Sequence, residues 1–402
     1  MRRPVITGIG VVSSIGIGKE TYWSALASGV CGIGEISIFD TSGFRGRLGA
    51  EVRGFSPDDY FDRRESRRLS RCDLLGIVAL NEALRDSGLA PDSIDRTRLA
   101  VVIGSGAGGL LSGEQFKRGI FENRKPRPSL LASFTSSAFT DHIAQRTGAR
   151  GFRSTISTAC SSSSTAIGMA GELIRKGIAD FVITGGSEAL SETTFAGFNS
   201  LRAVDEEPCR PFDKNRKGIS LGEGAAIFIV EEEEYAIRKG RTVYAEIAGY
   251  GLSCDAYHVT APEPSGTGIA HAISSALKNT GTPPSEIGYI NAHGTGTQAN
   301  DLAETNAIKL AFGELARMIP VSSTKSMIGH CLGAAGASEA AAAILALTRG
   351  VIPPTLHYTT PDPDCDLDYV PEPRQKEGIT AVLSTSLAFG GNNTALILRK
   401  TA

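Results

Sequence analysis

The chain is short of several features that mark particular classes of protein. Its formal net charge is only −2 over 402 residues, so no excess of either sign predicts binding to nucleic acid or to a membrane surface. The sequence has no apolar run of membrane-spanning length, and its first residues lack the apolar segment of a signal peptide. No Gly-rich stretch has the spacing of a phosphate-binding loop. We therefore expect a cytoplasmic protein with no membrane or nucleic-acid partner.

Cysteine and histidine are also scarce, which limits the chemistry that they support. The 7 cysteines are odd in number and none forms a CxxC pair, so neither a disulfide framework nor a zinc ribbon is expected. Only 6 histidines are present, and none stands in a metal-binding motif. These absences predict a reducing compartment, no metal centre and no bound cofactor.

Units of strand, glycine-rich turn and helix recur along the chain, which contains 47 glycines. Leu99–Gly104 and Ile287–Asn291, for example, read as buried strands that end in such turns. Strands alternating with helices predict an α/β fold with mostly parallel, buried sheets. The pattern is the same on both sides of residue 248, and no Pro- or Ser-rich linker intervenes. This predicts two related halves, residues 1–248 and 249–402, in one unit.

Cys160 lies in the stretch around which this organisation is arranged. The β-branched run Thr155–Thr158 predicts a short strand, and apolar residues at helical spacing predict a helix after the serines that follow Cys160. At such a turn the unpaired N–H groups and the dipole of the helix favour a thiolate over a thiol. We interpret Cys160 as a reactive nucleophile; the alternative is an inert buried cysteine.

Two of the histidines, His293 and His330, lie in Gly-rich loops at predicted strand ends. Loops at strand ends are where α/β proteins assemble their sites. A cysteine with two histidines predicts a thiolate nucleophile beside two imidazoles. Each histidine taken alone could have a purely structural role, but the two histidines together with Cys160 favour catalysis.

The motifs that surround these residues resemble those of the β-ketoacyl-acyl-carrier-protein synthase family, in that family's order and spacing. They are Thr158-Ala159-Cys160-Ser161-Ser162, Asn291-Ala292-His293-Gly294-Thr295-Gly296-Thr297, Lys325-Ser326-Met327-Ile328-Gly329-His330 and Phe389-Gly390-Gly391, together with Arg210-Pro211-Phe212-Asp213 and Gly222-Glu223-Gly224-Ala225. The similarity extends from about Val5 to Leu398 and is greatest to elongating condensing enzymes with a Cys-His-His triad. It implies the duplicated, thiolase-like α/β/α/β/α sandwich.

The implied reaction is a decarboxylative Claisen condensation in two stages. Cys160 accepts an acyl chain from an acyl carrier protein, and the carbanion left by decarboxylation of a malonyl thioester then attacks the acyl group. By the resemblance, the backbone N–H groups of Cys160 and Phe389 form the oxyanion hole. His293 and His330 donate hydrogen bonds to the malonyl thioester oxygen.

The resemblance also implies supporting and substrate-binding residues. Lys325 and Glu339 form a charged pair that orients the second histidine. Thr260, Thr295 and Thr297 bind the pantetheine arm, whereas Ala107, Phe198 and Ile219 line the acyl pocket. Ala107 stands where a bulky Ile limits chain depth in some members of the family. Ala388 replaces a common glycine ahead of the gating Phe389, so a different gate movement is expected.

Two protein partners are implied. Arg63, Arg64, Arg67, Arg68 and Arg71 are predicted to cluster on one helical face, and Arg64, Arg67, Arg68 and Arg202 align with positions that dock the acidic carrier protein. Family members are dimers, and the strand Asp180–Thr184 is predicted to pair across the interface.

Four interpretations are considered for the whole chain. It is either a self-sufficient synthase or the active half of a heterodimer with a homologous chain-length factor. A non-catalytic chain-length-factor-like partner is disfavoured by the complete triad, and a thiolase is disfavoured because no cysteine follows Cys365. Chain length, homodimer versus heterodimer, and fatty acid versus polyketide or polyene synthesis stay open.

Overall fold

The computed structural model describes residues 2–125 and 127–401 and has a mixed α/β architecture. Its strands are β1 Pro4–Ser13, β2 Gly16–Ile17, β3 Gly34–Glu35, β4 Leu48–Ala50, β5 Leu99–Gly104, β6 Arg153–Ile156, β7 Phe181–Glu188, β8 Leu221–Gly222, β9 Gly224–Glu232, β10 Ala245–Cys254, β11 Ile287–Asn291, β12 Val321–Ser322, β13 Val351–Ile352, β14 Arg374–Gln375, β15 Ala381–Ala388 and β16 Asn392–Arg399. Its α-helices are α1 Lys19–Ala27, α2 Arg63–Ser66, α3 Arg71–Ser87, α4 Leu110–Phe121, α5 Ser129–Ala132, α6 Ala138–Thr147, α7 Ser162–Arg175, α8 Glu192–Ser200, α9 Glu233–Arg238, α10 Thr267–Thr280, α11 Gln298–Phe312, α12 Lys325–Ile328 and α13 Ala335–Arg349.

The main sheet consists of two groups of strands with the same order. The first group runs β6-β5-β7-β9-β1 and the second β12-β11-β15-β16-β10. In each group the first three strands named are parallel, and the other two continue antiparallel. A short pairing of β1 with β10 joins the groups. The predicted division after residue 248 falls inside β10, which is the first strand of the second group in chain order.

Helices cover both faces of each group, which gives five layers. Helices α3 and α6 pack on the outer face of the first group, and α10 and α11 pack on the outer face of the second. Helices α7 and α13 lie between the two groups and share one core with both. This is the predicted α/β/α/β/α layering.

The alanine-rich sequence of α13 explains how a helix fits into the central layer. Every residue from Ala335 to Leu347 is buried. Small side chains let the helix approach α7 and the strands on either side closely, where larger ones would not fit at protein packing density.

Strand pairing corrects the predicted dimer contact. Residues 181–184 of this segment belong to β7, which is fully buried and hydrogen-bonded on one side to β5 and on the other to β9. It therefore has no free edge for a second subunit. The outer strand of this group is β6, which among the described residues pairs only with β5. The sequence could not reveal this because strand order depends on contacts between distant parts of the chain.

Candidate active site

Loops that follow β6, β11 and β12 carry the three candidate catalytic side chains. Cys160 lies in a 3₁₀ turn, Ala159–Ser161, between β6 and α7. His293 comes two residues after β11, and His330 comes two residues after α12. Since β6 and β12 hold equivalent places in the two groups, Cys160 and His330 come from corresponding loops of the two halves.

The turn that presents Cys160 is held in an unusual backbone conformation. Ala159 has φ of 50°, a left-handed value that is uncommon for a residue with a side chain. The Ser162 hydroxyl donates to the Ala159 carbonyl at 2.6 Å and accepts from the Thr158 N–H at 2.9 Å. These bonds tie the turn to the first residue of α7. The surrounding structure thus sustains a strained turn at the nucleophile, as is common at functional sites.

Burial of Cys160 opposes the predicted stabilisation of its thiolate by the helix N-terminus. Burial raises the pKa of Cys160 to about 11, although the positive charge of Lys325 and the backbone N–H of Phe389 both lower it. Loss of solvent therefore raises the pKa of Cys160 by more than the helix N-terminus, which the sequence predicted, can lower it. The backbone N–H groups of Phe389 and of Cys160 itself both lower the pKa of the thiol. These are the two groups that the resemblance assigns to an oxyanion hole.

His293 and His330 lie beside the sulfur with their rings nearly perpendicular, at 86°, and centroids 5.2 Å apart. The Cys160 sulfur and a nitrogen of each ring all lie within 4.8 Å of one another. Burial, with a further contribution from Lys325, holds the pKa of both imidazoles well below the usual value. Both histidines are therefore neutral at physiological pH.

Hydrogen bonds to Nδ1 define the tautomers of the two rings. The Leu332 N–H donates to Nδ1 of His330 at 3.0 Å. The Lys325 ammonium lies 3.0 Å from Nδ1 of His293 and donates to it. Because both Nδ1 atoms accept, the proton of each neutral ring is on Nε2. Each histidine therefore offers an N–H donor.

Lys325 and Glu339 form the predicted ion pair, but it serves the other histidine. The pair is almost completely buried, with each side chain 1% exposed. Besides Glu339, Lys325 Nζ contacts Nδ1 and, at 2.5 Å, the carbonyl oxygen of His293. The ring of His330 instead accepts a hydrogen bond from the backbone N–H of Leu332, two residues further along the same loop. The pair thus orients His293 and not, as predicted, His330.

Two buried carboxylates of α11 anchor the His293 loop, and sequence reasoning missed them. Glu304 accepts the N–H groups of His293 and Gly294, each at 2.8 Å, and Asp301 accepts that of Thr295 at 3.0 Å. Burial raises the pKa of Glu304 to about 7, although these bonds lower it. The signal in the sequence is two acids three residues apart on the inward face of a helix directly after the loop.

A cavity of about 350 Å³ opens onto the triad. Its lining includes Cys160, His293 and His330, and the predicted oxyanion-hole and gate residue Phe389. It also includes five residues predicted for substrate binding: Phe198, Ile219, Thr260, Thr295 and Thr297. Ala107, predicted for the acyl pocket, does not line this cavity. It lies half-buried in the turn after β5, where its N–H donates to the Glu188 carboxylate at 3.1 Å.

Phe389, the predicted gate residue, stacks on Phe198. Phe198 and Phe389 have centroids 5.4 Å apart and planes inclined by 25°. Gly390 and Gly391, with φ of 81° and 75°, supply the left-handed backbone of the turn. Ala388 is extended, with φ of −125°, so it needs no glycine conformation. Ala388 is therefore unstrained in this conformation, and a different gate movement stays a prediction.

Family profiles match almost the whole length of the chain. Residues 1–236 match the Beta-ketoacyl synthase N-terminal domain, and residues 244–359 match the Beta-ketoacyl synthase C-terminal domain. The chain belongs to the β-ketoacyl synthase family.

Named relatives and solved structures agree with this family assignment. A 3-oxoacyl-[acyl-carrier-protein] synthase 2 of Synechocystis is 41% identical, covering 99% of this chain and 98% of the relative. The ishigamide ketosynthase/chain length factor matches over 100% of both chains with a TM-score of 0.94 and 36% identity. A ketosynthase, AntDE, bound to its type II polyketide acyl-carrier protein matches with a TM-score of 0.89 and 32% identity over 100% of both chains. The predicted thiolase-like fold and the predicted acyltransferase class of condensing enzyme are thus confirmed.

The predicted carrier-docking arginines of this β-ketoacyl synthase do not form one site. Arg64, Arg67 and Arg68 line a surface cavity of about 740 Å³, which Arg63, Lys125 and Arg127 also line. Arg202 instead lines the active-site cavity, near its exposed side, with Lys217.

The five arginines do not share one helical face as predicted, because the helix is broken between α2 and α3. Helix α2 ends at Ser66, and Ser70 caps a new helix by accepting the Asp73 N–H at 3.1 Å. Arg67 and Arg68 therefore lie in a turn. The Arg71 side chain points inward and pairs with Glu223.

The described part of the chain offers little support for a separate metal site or a membrane-spanning helix. In residues 2–125 and 127–401, the one group of cysteine, histidine or acidic side chains placed to share a metal ion is the triad itself. No helix in those ranges combines the length and apolar character needed to cross a membrane. That the reaction uses no metal or cofactor stays a prediction.

Proposed function

We propose that this enzyme elongates an acyl chain on an acyl carrier protein by decarboxylative condensation with a malonyl carrier thioester, with Cys160 as nucleophile and His293 and His330 as hydrogen-bond donors. The observation that carries the proposal is the convergence of the Cys160 sulfur and two neutral imidazoles within 4.8 Å of one another. Two neutral donors beside a nucleophile suit chemistry in which negative charge develops on an oxygen.

In the first stage the acyl group moves from the carrier thioester to Cys160. The Cys160 S–H bond breaks as the sulfur attacks the carbonyl, and the departing pantetheine sulfur takes up a proton. The N–H groups of Cys160 and Phe389 stabilise the tetrahedral oxyanion.

In the second stage the malonyl thioester loses CO₂ and its C–C bonding electrons form an enolate. The Nε2–H groups of His293 and His330 donate to the enolate oxygen, a role that follows from the acceptor state of both Nδ1 atoms. The carbanion then attacks the acyl carbonyl. The Cys160 thiolate leaves and regains a proton, and the product is a 3-oxoacyl carrier thioester two carbons longer.

Lys325 and Glu339 act as positioning residues in this scheme. Lys325 fixes the His293 tautomer through Nδ1, while Glu339 compensates the charge of a buried ammonium group. We assign the pantetheine arm to the side of the cavity with Thr260, Thr295 and Thr297. Phe198 and Ile219 belong to the acyl side. Ala107 keeps its predicted place in the acyl pocket, where its small side chain would admit a deeper chain than a bulky Ile.

The acidic carrier is proposed to dock on the cationic cavity around α2. Across residues 2–125 and 127–401, no carboxylate lies within 4.0 Å of the guanidinium groups of Arg64, Arg67 or Arg68. Unpaired cations on a concave surface suit an acidic partner. Arg202, near the exposed side of the active-site cavity, is assigned a second contact with the carrier or its arm.

The second subunit is proposed to cover the outer edge of β6 and an apolar patch on α4 and α5. This α4–α5 patch comprises Ile120, Phe121, Leu131 and Phe134, which are 54%, 74%, 46% and 42% exposed. The chain runs from the patch into α6, where the Thr140 hydroxyl bonds with that of Thr155 on β6 at 2.6 Å. The partner is a second copy of this chain or, as in the ishigamide ketosynthase/chain length factor, a homologous subunit.

The proposed location is the cytoplasm, which the free state of all 7 cysteines supports. The pathway is fatty acid or polyketide elongation, and relatives of both kinds support the choice. The two halves, 1–248 and 249–402, are proposed as duplicated units that carry the nucleophile and the two histidines respectively.

Intact mass of the protein after incubation with acyl carrier proteins of graded chain length tests this function. We expect a mass gain of one acyl group on Cys160, absent in Cys160→Ala and retained in Cys31→Ser, which removes an exposed thiol outside the cavity. Malonyl carrier should then release CO₂ and a 3-oxoacyl carrier. If acylation needs a homologous subunit, the heterodimer is correct. If none occurs even with that subunit, the proposal fails.

A further inference from the structure

A buried ion pair, Arg71–Glu223, lies outside the catalytic cavity and has no role in the scheme above. Glu223 is 0% exposed, and the Arg71 side chain is 18% exposed. Arg71 donates to both carboxylate oxygens, from Nε at 2.8 Å and from Nη2 at 2.5 Å. The Val52 and Leu190 N–H groups donate to the same carboxylate at 2.9 and 3.2 Å. The Glu223 carboxylate thus accepts four hydrogen bonds from three residues.

The residues directly before Glu223 hold the backbone of His330. The His330 N–H donates to the Ser220 carbonyl at 2.7 Å, and the Gly222 N–H donates to the His330 carbonyl at 3.0 Å. Contact is so close that a side chain on Gly222 would lie 2.4 Å from the Ile328 carbonyl oxygen. A shift of the segment 220–222 therefore moves His330 with it.

The other end of the pair is fixed to α3. Arg71 is the first residue of that helix, directly after the N-cap Ser70. Its Nη2 also donates to the Val52 carbonyl at 3.0 Å. The Arg71 guanidinium therefore has a fixed position from which to hold Glu223. Buried ion pairs add little net stability because desolvation offsets their attraction, so stability alone does not account for this one.

We propose that Arg71 and Glu223 are a positioning pair for His330. The pair fixes the segment 220–222, which in turn places the His330 ring so that its Nε2–H reaches the malonyl thioester oxygen. The inference rests on the proposed function, because it concerns the step that His330 assists. Cys160 acylation depends on other elements, the turn Ala159–Ser161 and the Phe389 N–H.

Measuring the two half-reactions separately tests this role. Arg71→Lys keeps the charge but loses the two-pronged contact, and Glu223→Gln keeps the size but loses the charge. In both variants we expect the decarboxylation rate of malonyl carrier protein to fall about tenfold, since small misplacements of a catalytic group have effects of this order or greater. The rate of Cys160 acylation should stay within about twofold of wild type.

The double variant Arg71→Gln/Glu223→Gln guards against a loss of folding. It leaves no uncompensated buried charge, so its unfolding temperature should be nearer to wild type than that of Glu223→Gln. It should show the same selective loss of decarboxylation.

Arg241→Lys is the matched control. The Arg241–Glu231 pair is similarly buried, with side chains 10% and 0% exposed, but it joins the end of β9 to the segment before β10. We expect it to lower the unfolding temperature without changing the ratio of the two half-reaction rates.

Each outcome decides the matter. A lower ratio of decarboxylation to acylation in the Arg71 and Glu223 variants, but not in Arg241→Lys, supports the positioning role. An unchanged ratio with wild-type acylation intact overturns this inference alone. A wild-type enzyme that is never acylated, with or without a homologous subunit, overturns the proposed function and this inference with it.

Discussion

At the scale of single residues, the resting state of Cys160 has a measurable consequence. Its pKa of about 11 means that the neutral thiol predominates at pH 7 and that the thiolate fraction grows as pH rises. Only the thiolate reacts with iodoacetamide. Alkylation of Cys160 should therefore accelerate about tenfold per pH unit between pH 7 and 9, as measured by the mass of its peptide.

Cys254 is the internal control for this measurement, because it is exposed. Its modification should be faster than that of Cys160 throughout the range. A rate at Cys160 that is already constant at pH 7 would mean that the active site stabilises a thiolate after all.

The same residues show what a sequence can and cannot reveal at this scale. The triad was predictable because Cys160, His293 and His330 stand in motifs with defined spacing. The protonation state of Cys160 and the identity of the histidine that Lys325 contacts were not, since both depend on how three separate loops pack together. Glu304 was overlooked for the same reason. A helical glutamate is normally expected on the solvent-exposed face, and only the packing of the His293 loop against α11 shows that Glu304 is buried.

At the scale of elements, the turn between α2 and α3 makes a prediction about carrier binding. Arg67→Glu/Arg68→Glu reverses two charges that have no acidic neighbour within ion-pair distance among the described residues. The Kd for acyl carrier protein should rise at least about tenfold at low salt. The difference should shrink as the salt concentration approaches about 1 M, where charges are screened within about 3 Å.

Arg238→Glu/Lys239→Glu changes the net charge by the same amount at another exposed site and is the matched control. Equal weakening by both pairs would show that only the overall charge matters, and the docking site around α2 would then be wrong.

Helix and strand positions were largely predictable because local signals mark them. Leu99–Gly104 and Ile287–Asn291 match the sequence-based boundaries. The break between α2 and α3 was missed. Five arginines at helical spacing concealed the capping pair Ser70 and Asp73, whose bonds start a new helix and turn Arg71 inward.

At the scale of the whole molecule, the duplication was readable and the subunit contact was not. Repeated strand–glycine–helix units predicted two halves, and both groups of strands share one order. The identity of the free edge depends on which strands pair. β7 lies in the interior of its group, whereas the shorter and less apolar β6 lies outside.

This architecture predicts the effect of charges on the α4–α5 patch. Phe121→Glu/Phe134→Glu places two carboxylates where the second subunit is proposed to lie. Burial of one such aromatic ring contributes about 1.5–3 kcal/mol. The dissociation constant of the assembly, measured by sedimentation velocity, should therefore rise at least about tenfold. The prediction applies whether the partner is a second copy or a homologous subunit.

Met318→Glu separates this effect from a general response to surface charge. Met318 is 72% exposed, close to the 74% of Phe121, but it follows α11 in the second half of the chain. It should leave assembly unchanged, because the proposed contact surface belongs entirely to the first half. If the double phenylalanine variant sediments as the wild type does, the second subunit lies elsewhere. The exposed edge of β6 then needs a different explanation, since natural proteins rarely leave such an edge uncovered.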